Sequence, residues 1–151
     1  MRTYKAAALL LGYPEPGWLE ELPAITQVLA EERRLNHRAE RTIAPLLELL
    51  RGPLLAAQTH YVEIFDRQSA HGLYLFEHLH GESRARGTAM VELLERYRQQ
   101  GLELDCAELP DHLPVFLEYL SILPRRQARR ELGPVAGVLR LLARRLAAAQ
   151  S

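Results

Sequence analysis

The sequence predicts an all-α fold. Leucine, alanine, arginine and glutamate dominate it, and apolar residues recur at i, i+3, i+4 and i+7 through most of its length. The apolar–polar alternation of a half-buried strand is scarce. A chain of 151 residues suits one domain, here residues 1–151, with a single core and about six to eight helices joined by proline-kinked connections.

The first helix is expected over Thr3 to Leu11, with Thr3 as cap and Gly12 and Pro14 as stop. Trp18 to Leu35 is a second helical region. Pro23 is expected to start its main helix, since proline is tolerated in a first turn and not deeper. Ile25, Val28 and Leu29 then share its inner face, and Glu31, Glu32, Arg33 and Arg34 face water. Arg38 to Leu50 follows with Ile43, Leu46, Leu47 and Leu50 inward. Pro45 predicts a kink there or a late start near Ala44.

Gly52-Pro53 breaks the chain before a fourth helix to Phe65, with Leu54, Leu55, Tyr61, Ile64 and Phe65 as apolar candidates. Asp66 to Ser69 reads as a turn. Gly72 to Leu79 fits a buried helix or an extended piece; a short helix ending near Gly81 is favoured. Ser83 is placed to cap a helix over Arg84 to Gln100, with Met90, Leu93, Leu94 and Tyr97 inward and Gly101 as its C′ residue. After a loop over Leu102 to Leu109, Asp111 is placed to cap a helix reaching Leu123, with Leu113, Phe116, Leu117 and Leu120 inward. Pro114 sits harmlessly in its first turn and Pro124 stops it. A short helix over Arg125 to Leu132 and a break at Gly133-Pro134 precede a last helix over Val135 to Ala148. Val135, Val138, Leu139, Leu142 and Leu146 form its stripe, and the terminal AAAQS reads as a fraying end or a cut.

Charge narrows the function. Lys plus Arg and Asp plus Glu number 19 each, so nothing in the balance points to nucleic acid. The single cysteine, Cys106, excludes an internal disulfide and an all-cysteine metal site. Its neighbours Asp105 and Glu108 disfavour a thiolate. The run Ala6 to Leu11 is short for a signal peptide and lacks a small-residue cleavage site after it. No run approaches the ~18 apolar residues of a membrane span, so no membrane insertion is expected.

Two stretches carry polar chemistry. FEHLHGESRARG, Phe76 to Gly87, holds two histidines, two acids and two arginines around Gly81. ELPDHLP, Glu108 to Pro114, brackets an acid–His pair with prolines. A small metal-dependent hydrolase using His78, His80 and His112 is one reading, although His78 and His80 lack the i, i+4 spacing of a helical zinc pair. No nucleophile elbow, Walker loop or G-x-G-x-x-G is present. Arg125, Arg126, Arg129 and Arg130, with Arg140, Arg144 and Arg145, allow a second reading, an arginine-rich scaffold for an acidic partner; no aromatic residues interleave with them for base stacking. The third reading is a groove between short helices that accepts an amphipathic helix. The acids Glu63, Asp66, Glu77 and Glu118 would favour a basic one.

FDRQSAHGLYLFEHLHGESRARGTAMVELLERYRQQGL, followed by ELPDHLPVFLEYLSILP, resembles the NarJ-type nitrate reductase assembly chaperones. These are often labelled the delta subunit, within the redox-enzyme maturation family that includes TorD- and DmsD-like proteins. The likeness covers about Tyr61 to Pro124, and YKAAALLLGYPEPGW, Tyr4 to Trp18, is similar to the family's opening. The resemblance implies an all-helical, cytoplasmic, non-enzymatic chaperone that carries no stoichiometric cofactor. It would bind the N-terminal leader-like peptide of the nitrate reductase catalytic (alpha) subunit and support molybdenum cofactor insertion and complex assembly. It matches Glu108, Pro110, Asp111 and His112 to one family loop. Phe76, Glu77, His78, His80, Gly81, Glu82, Ser83 and Arg84 match the other. With the groove acids and Tyr119, the candidate peptide-binding residues are Glu63, Asp66, Phe76, Glu77, His78, His80, Arg84, Glu108, Asp111, His112, Glu118 and Tyr119. Members of this type usually continue further, so a shortened chain is expected, with a monomer favoured and a domain-swapped dimer allowed.

Overall fold

The computed structural model describes residues 1–104 and 108–149. The expected surroundings of Cys106 and the terminal residues 150–151 lie outside the described residues. The fold is all-α. The helices are α1 (Arg2–Leu10), α2 (Trp18–Glu32), α3 (His37–Arg51), α4 (Leu54–Tyr61), α5 (Leu75–His80), α6 (Arg84–Gln99), α7 (Leu113–Ile122), α8 (Arg125–Leu132) and α9 (Ala136–Ala149). A π turn over Val62–Asp66 prolongs α4, and 3-10 turns over Ser69–His71 and Gly133–Val135 precede α5 and α9.

Two apolar clusters form. The larger gathers Leu75 and Phe76 of α5, Leu93 and Tyr97 of α6, most of α7, Ala128 of α8, and Val138 and Leu142 of α9. The smaller joins Trp18, Leu22 and Ile25 of α2 to Leu47 and Leu50 of α3 and Ala57 of α4. Helix α1 belongs to both, giving Ala8 to the larger and Ala6 and Leu10 to the smaller. Its alanines let it lie closely along α7, where Lys5 Nζ meets Glu118 Oε1 at 2.7 Å.

The expected inward residues of α6 and α7 are borne out at Leu93, Tyr97, Leu113, Phe116, Leu117 and Leu120. Leu55 is a correction: it is 74% exposed, and Ala57 is the residue of α4 that turns inward. Pro23 corrects one boundary, and Pro45 sets aside the late start near Ala44 while the expected region from Arg38 to Leu50 stands. Helix α2 begins at Trp18 and carries Pro23 inside it, and α3 carries Pro45 inside it. Each proline removes the hydrogen bond to the carbonyl four residues earlier. Those carbonyls belong to Leu19 and Arg41, which are exposed, as are the prolines, so water can replace the lost donor.

Helix capping departs furthest from expectation. Thr3 lies inside α1 and caps nothing. Instead the Glu32 carboxylate accepts the Arg2 and Thr3 N–H groups at 3.0 and 2.6 Å, closing the start of α1 from the end of α2. Ser83 precedes α6 without a side-chain bond to it. Local capping occurs at Asn36, whose side chain accepts the Ala39 N–H at 2.8 Å and starts α3. Gly101 behaves as expected, turning left-handed at φ 76° after α6.

Leu120 is fully buried in the larger cluster, so Leu120→Ala is expected to cost about 2–5 kcal/mol in urea unfolding. Leu55→Ala is expected to stay within about 0.5 kcal/mol of the wild type.

Candidate functional site

The two polar stretches meet. The Leu75 N–H donates to the Asp111 carbonyl at 3.1 Å, and the Leu113 N–H donates to the Leu73 carbonyl at 2.7 Å, so Tyr74 and His112 lie side by side in an antiparallel bridge. The Tyr97 hydroxyl, itself buried, donates to the Pro110 carbonyl at 2.6 Å and pins the loop from behind. Asp111 is fully buried, and its Oδ2 accepts the Phe76 N–H at 2.9 Å. Phe76 is the second residue of α5, and Tyr74 at its N-cap supplies no side-chain bond. Asp111 therefore caps α5 from 35 residues away, and not α7 as its position in sequence suggests. The other oxygen, Oδ1, has no hydrogen-bond partner among the described residues. Burial pushes the Asp111 carboxyl above its usual range, against the pull of the Phe76 N–H and the Arg86 charge.

Beside this junction lies a cleft of about 400 Å³ lined by Tyr13, Glu15, Tyr61, Phe65, Asp66, Gly72, Leu73, Tyr74, Glu108 and His112. The π turn shapes its wall. Arg67 N–H bonds to the Val62 carbonyl, five residues back, and this wider turn brings Asp66 toward the face that carries Tyr61 and Phe65. The rings of Tyr61 and Phe65 sit 5.0 Å apart, and Tyr13 meets Tyr61 edge-on at 5.5 Å. Tyr13 and Glu15 come from the loop after α1. The Trp18 indole and the Gln58 amide hold that loop by donating to the Tyr13 and Pro14 carbonyls at 3.3 and 2.9 Å.

The Tyr74 hydroxyl donates to Glu108, and the Tyr74 ring lies 5.1 Å from His112. Burial and the Asp66 and Glu108 carboxylates push the Tyr61 phenol up to about 12. Burial and the bond to Glu108 raise Tyr74. Burial lowers His112 despite Glu108, Asp111 and Asp66 nearby. Near neutral pH the wall thus presents protonated phenols, a neutral imidazole and carboxylates.

The remaining candidate residues are dispersed. His78 Nε2 donates to the Gly72 carbonyl at 2.7 Å and braces the turn before α5. Phe76 and His80 pair edge-on at 5.4 Å and line a different groove, about 470 Å³, with Leu79, Phe116 and Val135. Glu77 faces Arg86 at 3.4 Å. Arg84 and Glu63 are exposed, and neither lines these two cavities. Glu118 is held by Lys5. Tyr119 is a core residue, 1% exposed, whose hydroxyl donates to Glu131 at 3.2 Å. His78, His80 and His112 occupy three separate surroundings, and among the described residues no three potential metal ligands cluster.

Asp66, Glu108 and His112 are thus brought together. Sequence reasoning missed their companions Tyr13, Glu15, Tyr61, Phe65 and Tyr74. Tyr61 and Phe65 read as helix four's apolar face, and only their i, i+4 spacing ahead of an acid hinted at more.

The nitrate reductase delta subunit profile matches residues 30–150. The chain belongs to the nitrate reductase delta subunit family. It is 44% identical over 151 residues to the probable nitrate reductase molybdenum cofactor assembly chaperone NarW of Escherichia coli K12, covering 97% of this chain and 61% of that protein. It is also 44% identical over 138 residues to the nitrate reductase molybdenum cofactor assembly chaperone NarJ of the same strain, covering 91% and 58%. The probable NarJ of Bacillus subtilis 168 is 31% identical over 150 residues, covering 95% and 78%. This family member spans about three-fifths of the length of the two Escherichia coli relatives.

Asp111→Ala leaves the Phe76 N–H buried without an acceptor and is expected to cost about 1–3 kcal/mol. Asp111→Asn keeps an acceptor and cannot ionise. Because folding raises the Asp111 pKa, its carboxyl favours the fold below the unfolded value of about 3.9, and that contribution is lost as pH rises through the folded value. Urea unfolding at pH 4 and pH 7 should show the Asn variant gaining on the wild type at the higher pH.

Proposed function

We propose that this chain is a non-enzymatic assembly chaperone for nitrate reductase. It acts in the cytoplasm as a monomer built as one domain, and binds the N-terminal leader-like peptide of the catalytic subunit while the molybdenum cofactor is inserted. The relatives named as such chaperones support the role, and the family profile covers most of the chain. The observation that carries the peptide reading is the cleft where the two polar stretches meet. Its rings offer apolar area, its carboxylates favour a basic segment, and no lysine or arginine among the described residues lines it. The helices around it are short, which leaves grooves a bundle of long helices would close. No helix among the described residues is long and apolar enough to cross a membrane.

The test is calorimetry with a synthetic peptide of the cognate catalytic subunit's N-terminus. A saturable heat with a Kd on the order of 1–100 μM is expected. No heat at peptide concentrations near about 1 mM would overturn the peptide reading.

A further inference from the structure

We propose that the cleft between Tyr61 and His112 is a receptor for one cationic side chain, lysine or arginine, presented by the bound peptide. The proposal rests on the peptide reading only for who presents the cation. Its chemistry follows from what lines the cleft.

Among the described residues, every charged side chain lining it is a carboxylate: Glu15, Asp66 and Glu108. None of the three forms an ion pair among the described residues; the Glu108 carboxylate accepts only the Tyr74 hydroxyl. A second, independent feature points the same way. His112 lines the cleft at 7% exposure, and its ring nitrogens make no hydrogen bond among the described residues. Burial keeps that ring neutral, so one nitrogen is an acceptor open to the cleft to which no described protein group donates. The phenols of Tyr61 and Tyr74 stay protonated and add ring faces, which attract cations.

These groups discriminate among ligands. An anion would meet three like charges. A purely apolar anchor would strip water from those carboxylates and from His112 and return nothing. An ammonium or guanidinium supplies N–H donors to the carboxylates and the imidazole and lies against the aromatic faces. A volume of about 400 Å³ suits one side chain and not a whole helix, so the rest of the peptide must lie outside it.

The test uses small probes on the intact chain, followed by NMR at Tyr61, Tyr74 and His112. The probes are Nα-acetyl-arginine N-methylamide, Nα-acetyl-lysine N-methylamide and the neutral isostere Nα-acetyl-citrulline N-methylamide. Saturable shifts at these residues with at least one cation, and none with citrulline, are expected; the tighter cation names the preferred side chain. Asp66→Asn and Glu108→Gln should each weaken the response by roughly threefold or more. Equal shifts with citrulline, or none with either cation up to about 100 mM, would overturn the proposal. The two readings fail separately. A cation response without leader heat removes the peptide reading alone. Leader heat unchanged in the Asp66→Asn, Glu108→Gln double variant removes the cation site as its contact.

Discussion

One buried hydrogen bond organises the functional half of this molecule: the Phe76 N–H donating to the Asp111 carboxylate. A six-residue helix such as α5 is too short to hold itself. It persists because Asp111 satisfies its start while Leu75 and Phe76 are buried in the larger core. The same residue's carbonyl takes the Leu75 N–H, so the loop before α7 and the start of α5 form one unit. The cost is a carboxylate fully out of water with one oxygen unpaired among the described residues. Prolines at 110 and 114 reduce the freedom lost in holding the loop, and Tyr97 anchors it.

That unit sets the cleft. Bridging Leu73 to Leu113 fixes Tyr74 against His112 and brings Glu108 within reach of the Tyr74 hydroxyl. The opposite wall is set independently, by the π turn after α4 and by the loop that Trp18 and Gln58 hold. Carboxylates and aromatic rings from four separate stretches therefore converge, each held by backbone contacts that do not depend on a ligand. Such preorganisation lowers the ordering cost of binding.

Helix order and most inward faces were legible because they depend on local periodicity: Leu113, Phe116, Leu117 and Leu120 recur as a helix requires. The two polar stretches were legible as unusual, and Asp66, Glu108 and His112 among their surroundings do share one cleft. N-terminal caps were not legible. Thr3, Ser83 and Asp111 sit where local capping chemistry expects them, yet α1 and α5 are closed by Glu32 and Asp111 from 29 or more residues away. A local rule cannot see a donor satisfied across the fold. Tyr119 and Glu118 illustrate the same limit, since one is core and the other is an α1–α7 tie. Tyr61 and Phe65 looked like packing because apolar spacing does not say which rings stay half exposed.

The central claim is that Asp111 holds α5 from across the chain. Residue-resolved amide hydrogen exchange of the native protein reads it directly at Phe76. The account predicts that this second residue of a short helix exchanges as slowly as core amides of α7, and speeds selectively when Asp111 is replaced by alanine. Exchange at the rate of an unprotected helix start in the native chain would contradict it.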